Sequence, residues 1–229
     1  CTFCTIPQMR GLQRSRSIES LVREAQGLEA QGVSELVLIS QDTTRYGEDL
    51  GLGREGLATL VATLLRETGF PWVRFLYAYP KTLHDSVLER MAAEPRFVSY
   101  VDVPLQHVSR SVLAGMRRGG DPEACLRLVE RLRSAVPGIA LRSTFIAGFP
   151  GEGEAEFAEL LAFVKEAGLD HVGVFPYSPE PGSGAEGLGD PVPAPVKGER
   201  CAAVMEAQRE ISRRKNRELR GKVHDAILE

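Results

Sequence analysis

Short apolar segments alternate with amphipathic helical segments along most of this 229-residue chain, and this alternation limits the folds that it can adopt. Five segments resemble buried strands because their apolar residues are nearly continuous: ELVLIS, WVRFLYAY, YVDVPLQ, IALRSTFIAG and HVGVFPYS. Each is followed by residues with helical spacing of apolar positions. The pattern predicts an α/β protein whose parallel strands are joined by right-handed helical crossovers.

The helices are predicted from apolar spacing and capping residues. The first covers SIESLVREAQGLEAQG and has Ser17 as its N-cap. Others are expected near residues 57–68, 83–94, 111–116, 122–134 and 154–167. A loop rich in Gly, Pro and acidic residues follows over 179–195, and GKVHDAILE at the end looks like the start of a strand. We therefore expect a core domain over 1–194, a helix over 195–220 and the beginning of another domain over 221–229.

Composition excludes some classes of protein. No apolar run approaches the length that spans a bilayer, so a membrane protein is not expected. The net charge of -3 does not predict a nucleic-acid-binding protein, and the basic run QREISRRKNRELRGK is more often a solvated helix face. Four cysteines without regular spacing do not indicate a secreted disulfide framework. A reducing, cytoplasmic setting is the expectation.

Polar loops follow all five predicted strands. In parallel sheets ligands bind at the carboxyl ends of the strands, so these loops outline one candidate site. Its expected lining is Gln41, Asp42, Tyr79, Gln106, His107, Arg142 and Tyr177. Each has a simpler explanation too: His107 can be a buried structural histidine, and Asp42 can cap a turn. Arg142 lies inside an apolar strand, so its charge needs a partner, either an anionic ligand or Asp102.

Two motifs remain open on spacing alone. GFPGEGE resembles an anion-binding loop but lacks the Lys-Ser/Thr of a triphosphate-binding loop, so no such nucleotide site is expected. Cys1 and Cys4 form a Cys-x-x-Cys pair, which is compatible with ordinary thiols, a redox pair, zinc or an iron–sulfur cluster. Cys125 and Cys201 lie in helical patterns and have no partner spacing. A thioredoxin-like pair should lead directly into a helix, whereas Pro7 and an Arg-rich loop are expected here.

A resemblance decides between these alternatives. CTFCTIPQMRGLQRSR resembles the end of the Cys-x3-Cys-x2-Cys loop of the radical S-adenosylmethionine (SAM) superfamily. The methylthiotransferase branch of that superfamily is similar throughout to ISQDTTRYG, FLYAYP, DVPLQHVSRSVLAGMRRG, LRSTFIAGFPGE, FPYSPEPGSGA and MEAQREISRRKNRELRGK. The tRNA-modifying (MiaB) type has GQNVNAYG, QSGS and SHP where this chain has SQDTTRYG, QHVS and YAYP. The chain therefore resembles the RimO type.

The resemblance implies a fold and a set of cofactors. The fold is a partial (β/α)6 TIM-like barrel whose first strand would precede this chain, with a C-terminal helix leading to a truncated β-barrel (TRAM) domain. Cys1 and Cys4 match the second and third ligands of a [4Fe–4S] cluster, and the first ligand would lie four positions upstream. SAM binds the remaining iron. A second [4Fe–4S] cluster is expected in an N-terminal domain outside this chain.

The resemblance also implies an activity. RimO-type enzymes add a methylthio group to the β-carbon of an aspartate in the twelfth small-subunit ribosomal protein. One electron from the cluster splits SAM, and the resulting 5′-deoxyadenosyl radical removes a hydrogen atom, so no catalytic acid or base is expected. The second cluster supplies the sulfur, and another SAM supplies its methyl group. The implied partners are the ribosomal protein, RNA around it and an electron donor, with no membrane.

Site roles follow from the same resemblance, residue by residue. Cys1 and Cys4 are the expected metal ligands. The expected cofactor-binding residues are Phe3 near the adenine, Gln41 and Asp42 at the SAM amino group, Arg142 at its carboxylate, and Gln106, Ile146 and Gly148 at the ribose or adenine. His107 and Tyr177 are weaker candidates for substrate contact. The alternatives are tRNA adenosine methylthiolation and, more distantly, a non-catalytic zinc or redox cysteine module.

Overall fold

The computed structural model describes residues 1–227, and its elements follow the predicted alternation. The strands are β1 (Glu35–Leu38), β2 (Trp72–Phe75), β3 (Tyr100–Asp102), β4 (Ala140–Ala147) and β5 (His171–Pro176). The α-helices are α1 (Ile6–Arg10), α2 (Ile18–Glu29), α3 (Gly56–Glu67), α4 (Asp85–Ala93), α5 (Arg110–Gly115), α6 (Pro122–Ala135), α7 (Glu154–Ala167) and α8 (Ala194–Glu218). All five predicted strands and the helices predicted between them are confirmed.

The local sequence explains how these helices begin and end. Ser17 is extended, and its Oγ accepts a hydrogen bond from Ser20 N at 3.3 Å, which confirms it as the N-cap of α2. Helix α7 is capped at its C-terminus by Gly168, which adopts the left-handed conformation with φ 53° that is common at helix C-termini. Short 3₁₀ turns occupy several loops, at Thr43–Arg45, Glu48–Leu50, Gly53–Glu55 and Glu186–Leu188.

The chain divides into two compact units, each built from separate segments. The first unit contains Cys1–Leu12, Pro104–Glu130 and Leu141–Arg220. In it, β4 and β5 pair in parallel over Arg142 opposite His171 through Ala147 opposite Pro176. Helix α8 packs against β5 and α7. The largest fully buried side chains of this unit include Met116, Leu141, Phe145, Phe149 and Leu160.

The second unit contains Gln13–Val103, Arg131–Ala140 and the residues from Gly221 onward. Its strands β1 and β2 pair in parallel, from Glu35 opposite Trp72 to Leu38 opposite Phe75. Helix α3 packs against α2 and α4. The core is formed by fully buried apolar residues such as Leu57, Val61, Leu64, Val73, Phe75 and Phe97. Burial of this many large side chains is the main stabilising contribution to the unit.

Three sequence expectations change in the structure. An Arg-rich loop was expected directly after Cys4, and this is wrong for residues 6–10, which form α1. Pro7 is compatible with a helix because a first-turn N–H has no intrahelical partner. A helix does follow the Cys-x-x-Cys pair directly, so the absence of such a helix no longer argues against a thioredoxin-like pair. The expected loop over 179–195 ends at residue 193, because α8 begins at Ala194, and it is packed against the protein, since Ser183 and Ala185 are buried.

The C-terminal expectation is only partly covered by the structure. Residues 222–227 contain no strand, and Leu228 and Glu229 lie outside the described residues. The expected division into 1–194, 195–220 and 221–229, including the start of a TRAM domain, stays a prediction. Among residues 1–227, no helix combines the length and the apolar character needed to span a bilayer.

Candidate functional site

The loop that carries Cys1 and Cys4 is fixed through the buried residue between them. Thr2 N donates to Met116 O at 3.1 Å, and Thr2 Oγ1 donates to Gly115 O at 2.9 Å. Thr2 O accepts from Ala185 N at 2.8 Å. The loop is thereby attached both to the end of α5 and to the Gly-rich segment after β5. Both thiols are presented from backbone that is held in place.

Burial distinguishes the four cysteines, and iron binds the thiolate form of the side chain. All four are free thiols; Cys1 is exposed and Cys4 is half-buried. Burial raises the pKa of the Cys125 thiol to about 11. Burial also raises the pKa of the Cys201 thiol, with a smaller contribution from the charge of Glu152. Burial therefore makes Cys125 and Cys201 the poorer metal ligands, and the expectation that Cys1 and Cys4 are the ligands stays a prediction.

A cation lies next to one of the two thiols. Arg118 Nη1 donates to Cys1 Sγ at 3.3 Å, and its Nη2 donates to Pro104 O at 2.8 Å. A guanidinium in this position favours negative charge on the sulfur. Within residues 1–227, no group of three or more His, Cys, Asp or Glu side chains could hold a metal ion. Cys1 and Cys4 therefore do not form a complete set of metal ligands within the described residues.

An apolar cluster lies beside the cysteine loop, and two predicted site residues pack on it. The cluster contains Val112, Met116, Phe149, Tyr177 and Ala185. Phe3 and Ile146 both pack against it. The rings of Phe149 and Tyr177 meet edge to face, with centroids 5.1 Å apart. The structure therefore brings together the aromatic residue of the cysteine loop and the end of β4.

Gln106 joins this group through the backbone. Its N–H donates to Thr144 O at 2.8 Å, and its C=O accepts from Ile146 N at 2.7 Å. Gln106 has φ 71°, a conformation that is uncommon for a residue with a side chain. Such strained positions occur preferentially at functional sites. The predicted adenosine contacts Gln106 and Ile146 are thus direct neighbours.

Gly148 continues the site at the first turn after β4, where a side chain does not fit. Its φ is 78°, and an added Cβ would lie 2.4 Å from Cγ of Lys197. Its N–H donates to Glu152 Oε2 at 2.8 Å. A larger residue would be strained in φ and would also collide with the Lys197 stem. The structure therefore explains why glycine occupies this position.

His107 is buried and lies next to Glu152. Its Nδ1 accepts from Ser109 N at 3.0 Å, so the ring carries its proton on Nε2. Nε2 lies 3.3 Å from Glu152 Oε2, and both side chains are fully buried. The angle does not satisfy hydrogen-bond geometry, so the pair is an electrostatic contact. This environment supports a structural role for His107, the simpler of its two sequence interpretations.

Gln41, Asp42 and Tyr79 lie in the second unit. Gln41 is exposed. Thr44 Oγ1 donates to Asp42 Oδ1 at 2.5 Å and accepts from Tyr79 N at 3.3 Å. Burial raises the pKa of the Asp42 carboxyl, and the hydrogen bond from Thr44 partly opposes this. Thr44 thus joins two of the predicted ligand loops. The expected contact of Gln41 and Asp42 with an amino group stays a prediction.

Arg142 lies away from the carboxyl end of its strand. It is the third of eight residues in β4, and its side chain is exposed. Because this face of the strand start is open to solvent, burial does not by itself require a partner for the charge. The expected pairing with an anionic ligand or with Asp102 stays a prediction. Five residues separate it from Ala147, about 16 Å along an extended strand. Its predicted carboxylate contact stays a prediction and receives no support from this position.

Four site residues were missed by the sequence reasoning: Arg118, Glu152, Lys197 and Arg200. A signal for two of them was present in the sequence. Lys197 and Arg200 precede Val204, Ala207 and Ile211 at helical spacing, which places both cations on the buried stripe of α8. A charge at such a position needs a buried partner. Nothing in the local sequence distinguishes Arg118 from its neighbour Arg117.

Comparison with known proteins identifies relatives over the whole chain. Residues 1–164 match the Radical SAM superfamily. The chain is 49% identical over 229 residues to the ribosomal protein uS12 methylthiotransferase RimO of Synechococcus sp. (strain JA-3-3Ab), covering 100% of this chain and 49% of that protein. The RimO of Aquifex aeolicus is 45% identical over the same 229 residues, which are 53% of its length. The chain thus spans about half the length of these curated relatives.

Solved structures share the fold at much lower identity. Coproporphyrinogen III oxidase (HemN) of Escherichia coli, a radical SAM enzyme, aligns with a TM-score of 0.63 and 19% identity over 83% of this chain and 45% of that chain. Methylornithine synthase (PylB) aligns with a TM-score of 0.62 and 15% identity over 93% of this chain and 58% of that chain. These likenesses confirm the predicted α/β barrel-type fold class.

Proposed function

Because this chain belongs to the radical SAM superfamily, we propose that it is the central part of a RimO-type methylthiotransferase, which modifies an aspartate β-carbon in ribosomal protein uS12. The names of its relatives support this proposal. The observation that carries it is the attachment of Thr2, between Cys1 and Cys4, to the apolar cluster on which Phe3 and Ile146 pack. This places two available thiols beside the expected adenosine contacts.

The residues of the first unit fit the cofactors of the superfamily. Cys1 and Cys4 would hold two irons of a [4Fe–4S] cluster, and a further thiolate would come from outside the described residues. The cluster and SAM together supply an electron and the radical that removes a hydrogen atom from an unactivated C–H bond. Sulfur transfer from a second cluster, also outside this chain, belongs to the same proposal.

The chain's own residues bind, orient and exclude water. Phe3 and the backbone from Ile146 to Gly148 would hold the adenosine of SAM against the apolar cluster, and Gln106 would contact its ribose. Gly148 adopts φ 78° without strain, and its missing side chain leaves room for the stem of Lys197. Gln41 and Asp42 are proposed for the SAM amino group. Arg142, exposed near the start of β4, is the least supported of the proposed contacts.

The proposed partners follow from the substrate. A protein that lies within the ribosome is surrounded by RNA phosphates, and the exposed cations at the end of α8 fit such a partner: Arg213, Arg214 and Arg217, with Arg220 and Lys222 beyond. These residues favour salt-sensitive association. An electron donor is also required, and the cytoplasm is the proposed location because ribosomes are there. The same basic surface fits the alternative substrate, tRNA.

The proposal is tested with the full-length protein that contains this chain. The protein is reconstituted anaerobically with iron and sulfide, and 5′-deoxyadenosine is measured after addition of SAM and dithionite. Recombinant uS12 and total tRNA are then offered separately, and mass spectrometry locates any added methylthio group. We expect a brown protein that cleaves SAM and modifies an aspartate of uS12. Cys4→Ala should lose the cleavage and the part of the colour that comes from this cluster, because the second cluster remains, whereas Cys125→Ala should retain the cleavage and the full colour.

Three results would contradict the proposal in different ways. A methylthio group on tRNA adenosine instead of uS12 would move the chain to the MiaB type. A colourless protein with stoichiometric zinc would indicate the cysteine module. Cleavage of SAM that survives Cys4→Ala would show that the Cys-x-x-Cys pair does not hold the cluster.

A further inference from the structure

Two cations on α8 are buried next to the loop that follows β4. Lys197 is 4% exposed and Arg200 is 5% exposed. Both lie beyond residues 1–164, the part of the chain that matches the superfamily. Removing a charged side chain from water is costly unless it is paired and hydrogen-bonded. Their burial therefore requires specific partners, which lie in the loop after β4 and at the start of α7 for Arg200 and in the segment after β5 for Lys197.

Arg200 is bound to the loop at three points. Its Nη1 donates to Glu152 Oε1 at 2.8 Å and to Glu152 O at 3.1 Å. Its Nη2 donates to Glu154 Oε1 at 2.7 Å, and the guanidinium lies over the ring of Phe157, 5.3 Å from its centroid. The other carboxylate oxygen of Glu152 accepts from Gly148 N at 2.8 Å. A continuous path therefore runs from α8 through Glu152 to the backbone of Gly148.

Lys197 lies directly beside the same glycine. Its Nζ donates to Tyr177 O at 2.8 Å and pairs with Asp190. The ammonium also lies 5.4 Å from the centroid of the Tyr177 ring. These bonds hold the aliphatic stem of Lys197 against the open face of Gly148, where an added Cβ would lie 2.4 Å from Cγ. Lys197 thus limits the conformations available to Gly148.

We propose that Lys197 and Arg200 are positioning residues, which hold the loop Gly148–Gly153 in the conformation that receives SAM. This inference rests on the proposed function, since it takes the backbone from Ile146 to Gly148 as part of the SAM site. Helix α8 is then part of the cofactor site although neither cation touches the cofactor. Arg200 acts through Glu152, and Lys197 acts through its contact with Gly148.

The geometry distinguishes the two roles. Glu152 has one oxygen on Arg200 and the other on Gly148 N, so loss of Arg200 leaves a buried carboxylate with fewer partners. The carboxylate then reorients and releases the Gly148 N–H. Lys197→Met keeps a stem beside Gly148 but removes the ammonium bonds that hold that stem in place, and it leaves the Gly148–Glu152 hydrogen bond intact. Arg200→Met should therefore affect the loop more strongly than Lys197→Met.

The test uses the full-length protein with its clusters reconstituted. Arg200→Met, Arg200→Lys and Lys197→Met are compared with Arg209→Met, an exposed control on the same helix whose partner is Glu206. SAM affinity is measured by equilibrium dialysis without reductant, so that no SAM is consumed. Iron content is measured in parallel. Amide hydrogen exchange is followed in the peptide that contains Gly148, without SAM.

We expect Arg200→Met to weaken SAM binding on the order of tenfold to a hundredfold at unchanged iron content, because small displacements of a positioned group have effects of this size. The Gly148 amide should exchange faster. Arg200→Lys should recover part of the SAM affinity and part of the protection of the Gly148 amide. Arg209→Met should change neither the SAM affinity nor the exchange rate. If Arg200→Met does not fold, Arg200→Lys and Lys197→Met carry the same test with smaller expected changes.

Two results would overturn the inference. One is unchanged SAM affinity and unchanged Gly148 exchange in the folded variants. The other is faster exchange without any loss of SAM affinity, which would show that α8 stabilises the loop but does not position it for the cofactor. Failure of the proposed function would look different: the unmodified protein, with its iron present, would not bind SAM in the dialysis experiment.

Discussion

Arg118 donates a hydrogen bond to the sulfur of Cys1 across 3.3 Å, although the two residues are 117 positions apart. Hydrogen bonds and positive charge at a cluster thiolate stabilise the reduced state, which carries the additional negative charge. We expect Arg118→Met to lower the reduction potential of the cluster proposed at Cys1 by on the order of 60 mV, a tenfold change for a one-electron couple. A redox titration followed by electron paramagnetic resonance of the full-length protein measures this shift.

Two variants test whether the effect of Arg118 comes from its charge and position. Arg118→Lys should keep the reduction potential close to that of the unmodified protein, because a positive charge remains near the sulfur of Cys1. Arg110→Met should leave it unchanged, because Arg110 is exposed and pairs with Asp121. An equal shift in Arg110→Met and Arg118→Met would mean that net charge, rather than the contact with Cys1, sets the potential.

Cys125 should be the least reactive cysteine of the folded chain. With its pKa near 11, about one Cys125 thiol in a thousand is ionised at pH 8. Exposed Cys1 should be alkylated by iodoacetamide well before Cys125. Peptide mapping by mass spectrometry of the cluster-free protein gives the order. In denaturant the cysteines should react at similar rates, and rapid labelling of Cys125 in the native protein would contradict its burial.

Asp42 and Asp49 should have opposite effects on the pH dependence of stability. Burial raises the folded pKa of Asp42, so the folded state favours its protonated form. That contribution is present at acidic pH and is lost as the pH rises through the folded pKa. Asp42→Asn should therefore gain stability relative to the unmodified protein as the pH rises from about 4 towards neutral. Its SAM affinity should fall if the proposed amino-group contact is correct.

Asp49 is the matched control in the same loop region. Its carboxylate accepts from Ser15 N at 2.7 Å, and hydrogen bonds with Ser15 lower its folded pKa. The stability that it contributes is present above its ordinary pKa and is lost as the pH falls through the lowered folded value. Asp49→Asn should thus be less stable near pH 7 and equal to the unmodified protein in acid. Thermal unfolding midpoints between about pH 3 and pH 8 measure both curves.

Gly148→Ala should destabilise the chain more than Gly138→Ala. Both glycines have positive φ, 78° and 81°, but an added Cβ at Gly138 meets nothing within 4 Å. The alanine at 138 should cost about 1 kcal/mol from its left-handed conformation alone. At 148 the collision with the bound stem of Lys197 should add roughly 1–3 kcal/mol. Urea unfolding of the two variants measures the difference, and equal losses would show that Lys197 moves away freely.

Much of the fold was readable because its signals are local. The helix over Ile18–Glu29 was predicted from apolar spacing and from Ser17, and the structure shows that cap directly. The strand over Ala140–Ala147 was predicted from an apolar run. The helix at Ile6–Arg10 was missed because Pro7 resembles a helix breaker unless its place in the first turn is known. The first and last residues of the strands were the least predictable, since pairing with a neighbouring strand decides where a strand begins and ends.

The sequence by itself determined the order of strands and helices, and it singled out Cys1 and Cys4 as a Cys-x-x-Cys pair. Through its motifs it also indicated the superfamily. These depend on residues that are neighbours along the chain. Only the tertiary structure showed that Arg142 is exposed, that His107 is buried beside Glu152, and that Arg200 reaches the loop after β4. Which charges become buried partners depends on contacts between distant segments, and burial sets their energy. The local sequence around each residue does not show which distant segments it will contact.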